Sequence, residues 1–267
     1  MLLHSVFLKT IRDLRWPVFW AALGLGILGF YFIWLYPTFA NDLDLQALLD
    51  SFPPAMMALV GGSLIDMSSP AGFLNMELFP LMLPIILGGF AITLGSGATA
   101  AEESRGTLDL LLSEPVQRWR VVTEKVVAMV FGTVVVAAAL FVGVQLGAAI
   151  GGVSVPAGNL AGALVSGTLL ALAFGSIALA LGCWTGNRPL AIGVVGALFV
   201  VTYFINALAP LVDVLNDIQA ISPFFYYLEA NPIQNGIDWV HAGVLAVITV
   251  VGFAAALIGF ERRDLAT

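Results

Sequence analysis

Long apolar runs constrain this chain more than any other feature of its sequence. Six segments are nearly devoid of charged side chains, and shorter polar stretches separate them. A helix of about 20 residues crosses the roughly 30 Å hydrocarbon core of a bilayer, and each segment reaches that length. The predicted spans are residues 16–39, 78–100, 121–150, 160–184, 190–211 and 239–260.

The composition agrees with a membrane protein and excludes several other classes. Of the residues, 60% are hydrophobic and 10% are charged, whereas soluble domains carry about 25% charged residues. We expect an all-α membrane protein with residues 1–267 forming a single transmembrane domain. The formal charge of −7 argues against nucleic acid. The single cysteine, Cys183, excludes an internal disulfide, and we expect no metal site.

The placement of basic residues predicts the orientation of the chain. All 10 Lys and Arg residues lie in the N-terminal segment, in the interval 101–125, at Arg188 or in the C-terminal tail. Segments 40–76 and 212–238 contain none. Because basic loops stay on the cytoplasmic side, this pattern predicts six spans in the cytoplasmic membrane with both termini cytosolic.

Residues 1–15 form an amphipathic segment before the first span. Apolar side chains recur at helical spacing, while Lys9, Arg12 and Arg15 supply positive charge. We therefore expect an interfacial helix on the cytosolic leaflet. A signal peptide is the competing interpretation, but the apolar run at 16–39 is too long and lacks a cleavage site.

The most polar part of the chain is the interval 101–125. Leu108, Leu111 and Leu112 repeat at i, i+3 and i+4, so they share one face of a short helix that Pro115 would end. Taken alone, this pattern fits either an interfacial helix with solvated charges or a helix that docks to a partner.

The order of residues within this interval carries a family resemblance. Residues 102–112 (EESRGTLDLLL), then Glu114-Pro115-Val116 and Arg118-Trp119-Arg120, resemble the cytosolic motif of ABC-2 type transporter permeases. The resemblance implies a type V ABC exporter-like fold, with an N-terminal elbow helix, a cytosolic coupling helix and external re-entrant helices. The residues it assigns to ATPase coupling are Glu102, Glu103, Arg105, Gly106, Thr107, Leu108, Leu111, Leu112, Pro115 and Arg118. The residues it assigns to the external re-entrant helices are Pro223, Phe224, Tyr226 and Tyr227.

The resemblance also implies a function that depends on a second kind of subunit. Neither of the two lysines, Lys9 and Lys125, follows a glycine, so a phosphate-binding loop is absent. We expect no enzymatic activity and no cofactor on this chain, with ATP and Mg²⁺ bound by a partner ATPase. The expected assembly contains two ATPase copies and a second permease, either identical or related. The apolar spans favour a lipophilic or amphipathic substrate, such as a drug, an antibiotic or a lipid-like molecule.

The role of two polar residues within the spans is open. The middle of each span lacks ionisable side chains, which argues against an ion-coupled transporter. Gln145 and Asn206 place uncharged polar amides within the spans, and these amides either hydrogen-bond between helices or contact substrate.

The sequence also permits an alternative function. The chain would then be a non-transporting scaffold or sensor that docks a cytosolic partner through the 101–125 loop.

Overall fold

The computed structural model describes residues 6–42, 53, 56, 69–98, 100 and 117–262, and within them it contains helices and no β-strand. Five helices of this described part are long and apolar enough to cross a membrane: α1, α4, α5, α6 and α10. The helices are α1 (Val6–Asp42), α2 (Pro70–Glu77), α3 (Gly89–Gly97), α4 (Arg118–Gly151), α5 (Ala157–Thr185), α6 (Arg188–Leu208), α7 (Asp213–Ile218), α8 (Pro223–Leu228), α9 (Pro232–Asn235) and α10 (Trp239–Arg262). Short turns of other types cover Pro84–Gly88 (π), Ala209–Leu211 and Gln219–Ile221 (both 3₁₀).

Helix α5 forms the centre of the bundle. Of its most apolar 18-residue stretch, 72% is buried inside the protein, whereas the corresponding share of α1 is 17%. Its sequence is dominated by Ala, Gly, Ser and Leu, and small side chains allow neighbouring helices to approach closely. Helices α3, α6 and α10 all pack against it.

Helices α1 and α4 form the most extensive helix pair of the protein. A methyl group at Gly143 would overlap the carbonyl oxygen of Gly26, and one at Gly147 would overlap that of Phe30. The two backbones are therefore in direct contact, which small residues spaced four apart on a helix allow.

The first predicted boundary differs from the structure. Helix α1 runs without interruption from Val6 to Asp42 and passes through Pro17 and Pro37. Residues 6–15 are thus the first turns of the helix that contains the predicted span 16–39, and they do not form a separate elbow helix. The apolar spacing of the amphipathic segment continues into the span, and no Gly lies at the boundary between the two.

The second predicted span, residues 78–100, is not one regular helix over its described residues. Pro80 and Pro84 lack the amide hydrogens that an α-helix needs at those positions. The amide of Leu83 donates instead to the carbonyl of Leu78 at 2.8 Å, one residue further back than in an α-helix. The apolar helix that follows, Pro84–Gly97, is shorter than the five candidate spans.

Candidate functional site at the basic end of the bundle

The bundle has a basic end and an acidic end. Lys125 near the start of α4 donates a hydrogen bond to the carbonyl of Ala98, just beyond α3. Trp184 near the end of α5 donates to the carbonyl of Ala255 in α10 at 2.8 Å. The described basic residues lie at this end: Lys9, Arg12, Arg15, Arg118, Arg120, Lys125, Arg188 and Arg262. The connectors at the opposite end carry Asp213, Asp217, Glu229 and Asp238 and no described basic residue.

A cavity of about 310 Å³ opens at the basic end, between α1, α3, α4 and the start of α6. Its polar lining consists of Thr10, Asp13, Thr93, Lys125 and Arg188. Its apolar lining consists of Leu14, Pro17, Phe90, Leu94 and Met129. The cavity is therefore amphipathic, with charged groups from three helices beside an apolar wall.

Two consecutive residues, Gly97 at the end of α3 and Ala98 just beyond it, contact the two cationic side chains that line this cavity. Lys125 is only 5% exposed and donates to the carbonyl of Ala98. The guanidinium of Arg188 lies against Gly97, where an added Cβ would be 3.3 Å from its Nε. That Nε is buried, and no acceptor in the described part of the chain receives its hydrogen bond.

The start of α6 fixes the position of Arg188. Asn187 caps the helix, because its Oδ1 accepts a hydrogen bond from the amide of Leu190 at 3.0 Å. The lining groups Lys125, Arg188 and Asp13 carry two positive charges and one negative charge.

The acidic end is closed by short helices that connect α6 to α10. The ring of Phe224 in α8 lies 5.9 Å from that of Phe174 in α5 and 5.0 Å from that of Phe199 in α6. The hydroxyl of Tyr227 donates to the carbonyl of Phe79 at 2.8 Å. Helix α8 therefore inserts its aromatic side chains between the central helices.

A family comparison accounts for this architecture. The family model described as "ABC-2 family transporter protein" matches residues 6–265. The chain belongs to the ABC-2 transporter family. The resemblance noted in the 102–120 region is thereby confirmed, and the match is to a family of membrane transport proteins. No curated protein matches the chain significantly.

The predicted coupling residues of the ABC-2 protein lie almost entirely outside the described residues, since residues 101–116 are not among them. Arg118 is the first residue of α4, and Gln117 precedes it as the N-cap. One turn later, Arg120 and Glu124 form an exposed ion pair at 2.8 Å. The interval that carries the motif therefore leads directly into the helix that supplies Lys125 to the cavity.

The predicted basic residues of the N-terminal segment lie on the first turns of α1. Arg12 and Arg15 are exposed, and Lys9 is half-buried. The guanidinium carbon of Arg15 lies 5.8 Å from the centre of the Trp16 ring, within the range of a cation–π contact. These side chains surround the turn that supplies Thr10 and Asp13 to the cavity.

The predicted external residues of the ABC-2 protein lie on or next to α8. Pro223, Phe224 and Tyr227 are buried, and Tyr226 is half-buried. Tyr226 packs edge-on against His241 of α10, with ring centres 5.5 Å apart.

The two polar residues of the spans both bind to neighbouring connectors. Nε2 of Gln145 donates to the carbonyl of Val155 at 3.3 Å, beyond the end of α4. Oδ1 of Asn206 accepts a hydrogen bond from Nε2 of Gln219 at 3.1 Å. Each amide thus ties a long helix to the segment that follows it, and a contact with substrate stays a prediction.

The sequence interpretation did not identify the cavity. It used Arg188 only to predict the orientation of the chain. The signal in the sequence is the basic residue Arg188 directly after the capping residue Asn187. It is combined with the small residues Gly97 and Ala98, which end the apolar segment 78–100 at the same end of the bundle.

Proposed function

We propose that this chain is the permease subunit of an ATP-driven exporter in the cytoplasmic membrane. The observation that carries the proposal is the ABC-2 family match, which extends over residues 6–265 of the 267 in the chain. Because the sequence has no phosphate-binding loop, a separate ATPase subunit binds ATP and Mg²⁺ and supplies the energy. The apolar helices favour a lipophilic or amphipathic substrate that moves outward.

In this proposal the basic end of the bundle faces the cytosol. The positive-inside rule supports that orientation, because the described Lys and Arg residues gather at that end and the acidic connectors lie at the other. The segment Pro84–Gly97, together with the turns before it, supplies the sixth crossing, so both termini are cytosolic.

Coupling takes place through the interval before α4. Leu108, Leu111 and Leu112 insert into a groove on the ATPase, and Glu102 and Glu103 face basic groups on it. Support comes from the leucine spacing and from the position of the interval, which enters α4 at the basic end. Movement of the ATPase is thereby transmitted to α4.

The functional assembly contains two permeases and two ATPase subunits. The face of α1 that carries Trp16, Trp20 and Ile27 is more than half exposed at each of these residues, and it offers an apolar surface for a second permease or for lipid. The permeases pack through α1 and α6. The mass of the purified complex measures this directly, and a complex with one permease would refute it.

Leu111→Asp tests the proposed function. An unpaired carboxylate in a desolvated contact costs several kcal/mol of docking free energy, so this variant should neither co-purify with the ATPase nor support substrate-stimulated ATP hydrolysis. Leu111→Met retains apolar volume and serves as the control. Replacing Glu102 and Glu103 by Ala should weaken coupling less, because exposed ion pairs contribute about 0–1 kcal/mol each.

The two readouts separate the exporter from the scaffold. Full binding and full stimulation in Leu111→Asp would show that the leucine face does not dock. A cytosolic partner that binds through residues 101–125 without hydrolysing ATP would instead favour a scaffold or sensor.

A further inference from the structure

We propose that the first turns of α1 form a binding surface for an anionic phospholipid. The surface consists of exposed residues at the basic end of the bundle: Arg12, Arg15, Trp16, Phe19 and Trp20. Binding requires only the chain and a lipid, so it goes beyond the proposed transport function. Its failure would leave the coupling to an ATPase untouched, because no ATPase takes part in the test.

The spacing of these residues places them on one face of α1. Counted from Arg12, they follow at i+3, i+4, i+7 and i+8, which is the repeat of a single helical face. Arg12 precedes Trp16, and Arg15 precedes Phe19, by one helical turn, or about 6 Å along the helix axis. The surface therefore has a charged end and, one turn further along α1, an aromatic end.

The charged end carries two positive charges. Neither Arg12 nor Arg15 forms an ion pair or a hydrogen bond within the part of the chain that the structure describes. Asp13, the acidic residue of these turns, lines the cavity on the neighbouring face of α1. The guanidinium of Arg15 contacts the ring of Trp16, and a cation–π contact occupies no N–H donor. Both guanidinium groups can therefore donate to a phosphate, whose oxygens match their paired N–H groups.

The aromatic end is a cluster of three rings. Phe19 packs edge-on against both tryptophans, with ring centres 6.0 Å from Trp16 and 5.3 Å from Trp20. The two tryptophans are 58% and 62% exposed, and no described residue accepts a hydrogen bond from their indole N–H groups. Exposed Trp residues are typical of the membrane interface, where the ring contacts acyl chains and the N–H contacts polar lipid oxygens.

A lipid fits this surface better than a second permease does. A contact between two identical chains is most often twofold, and it places the same surface opposite itself. Arg12 and Arg15 of both copies would then repel each other, since the surface contains no acidic residue. An anionic headgroup compensates both charges and leaves its acyl chains against the rings. The contact between permeases therefore uses the part of α1 beyond Trp20, which includes the exposed Ile27.

The test compares two lipids that differ mainly in headgroup charge. The purified full chain in a maltoside detergent is titrated with phosphatidylglycerol or with phosphatidylcholine of the same acyl chains. Native mass spectrometry counts the lipids and the chains in each particle. Both lipids contain a phosphate, but phosphatidylcholine is neutral overall. Each basic residue near a membrane surface contributes about fivefold in affinity for anionic lipid, so phosphatidylglycerol should bind roughly tenfold more tightly or better.

A pair of charge variants connects this preference to the surface. Arg12→Gln combined with Arg15→Gln should reduce the preference for phosphatidylglycerol to about twofold or less. The matched control combines Arg120→Gln with Arg262→Gln, which removes two exposed charges from α4 and α10 at the same end of the bundle. We expect the control to retain the preference of the wild type.

A third variant tests the aromatic end. Trp16→Phe combined with Trp20→Phe retains the rings but removes both indole donors. It should weaken the binding of both lipids by about fivefold and leave the preference between them unchanged, because the two lipids share their glycerol esters. Unchanged binding of both lipids would overturn the aromatic end as part of the surface.

Three results would overturn the proposal as a whole. The first is equal binding of the two lipids by the wild type. The second is a wild-type preference in the Arg12 and Arg15 variant with an unfolding temperature that shows it is folded; if that variant also changed the number of chains per particle, the surface would bind a second permease. The third is an equal loss of preference in the Arg120 and Arg262 control, because diffuse charge at this end would then account for binding.

Discussion

At the scale of single residues, one hydroxyl compensates for an irregular backbone. In an α-helix the amide of Leu83 would donate to the carbonyl of Phe79, but here it donates to Leu78. The carbonyl of Phe79 instead accepts the hydroxyl of Tyr227, which is fully buried. Burial raises the pKa of Tyr227, so the hydroxyl stays protonated and remains a donor.

Tyr227→Phe should therefore destabilise the protein by about 1–3 kcal/mol, because it leaves a buried carbonyl without a donor. Thermal unfolding in detergent measures the change. Tyr226→Phe is the matched control: it makes the same change one residue earlier, at a half-buried side chain. Equal unfolding temperatures for the two variants would contradict the compensation.

The cap of α10 predicts a dependence of stability on pH. The side-chain oxygen of Asp238 accepts hydrogen bonds from the amides of His241 and Val240, and these lower the pKa of Asp238 below its ordinary value of 3.8. A lowered pKa stabilises the folded state above the ordinary pKa, and this contribution is lost as the pH falls through the lower, folded-state value.

Asp238→Asn retains an acceptor that does not titrate. We expect the unfolding temperature of the wild type to fall relative to that of Asp238→Asn as the pH drops below 3.8. Parallel curves throughout the acid range would show that the cap does not titrate in this way.

At the scale of helices, the α1–α4 contact depends on glycine. Gly143→Ala would push its Cβ into the carbonyl of Gly26, and the two backbones would have to separate. Gly24→Ala, on α1, meets no atom within 4 Å. Ala forms helices better than Gly by about 1 kcal/mol, so the second substitution should be neutral or stabilising and the first destabilising.

Thermal unfolding of both variants in detergent checks this contrast. A Gly143→Ala protein as stable as Gly24→Ala would indicate that the two helices are not in backbone contact.

At the scale of the whole molecule, the separation of charge predicts the topology. Cys183 is buried with Val122, Leu179 and Phe260, so Cys183→Ala gives a thiol-free background with little change in packing. Single cysteines introduced at Asp44 and Asp217 should react with an impermeant reagent added outside intact cells. One introduced at Ser113 should react only after the cells are opened, and external labelling there would contradict six crossings.

Hydropathy predicted the long helices and missed what depends on hydrogen bonding. The predicted spans 121–150 and 160–184 agree closely with α4 and α5, because uninterrupted apolar runs of that length have few alternatives in a membrane. The prediction of one regular helix over residues 78–100 was wrong, although the sequence shows Pro80 and Pro84. Hydropathy scores their rings as apolar and ignores the missing amide hydrogens.

The cavity was beyond sequence analysis for a different reason. Asp13, Lys125 and Arg188 belong to three helices that are distant along the chain, and only their packing brings them together. A local sequence pattern predicts which face of a single helix is apolar or charged. It does not predict which helix faces pack against each other.

Helices α1 and α4 share the most extensive contact of the protein, and α4 also packs against α5 and α10. The cavity lies beside this helix pair, since α1 and α4 form one wall and α3 and α6 the other. A small tilt of α1 and α4 together would therefore change the width of the cavity and leave the glycine contact between the two helices intact. A displacement of the start of α4, where Lys125 lines the cavity, would change that width directly.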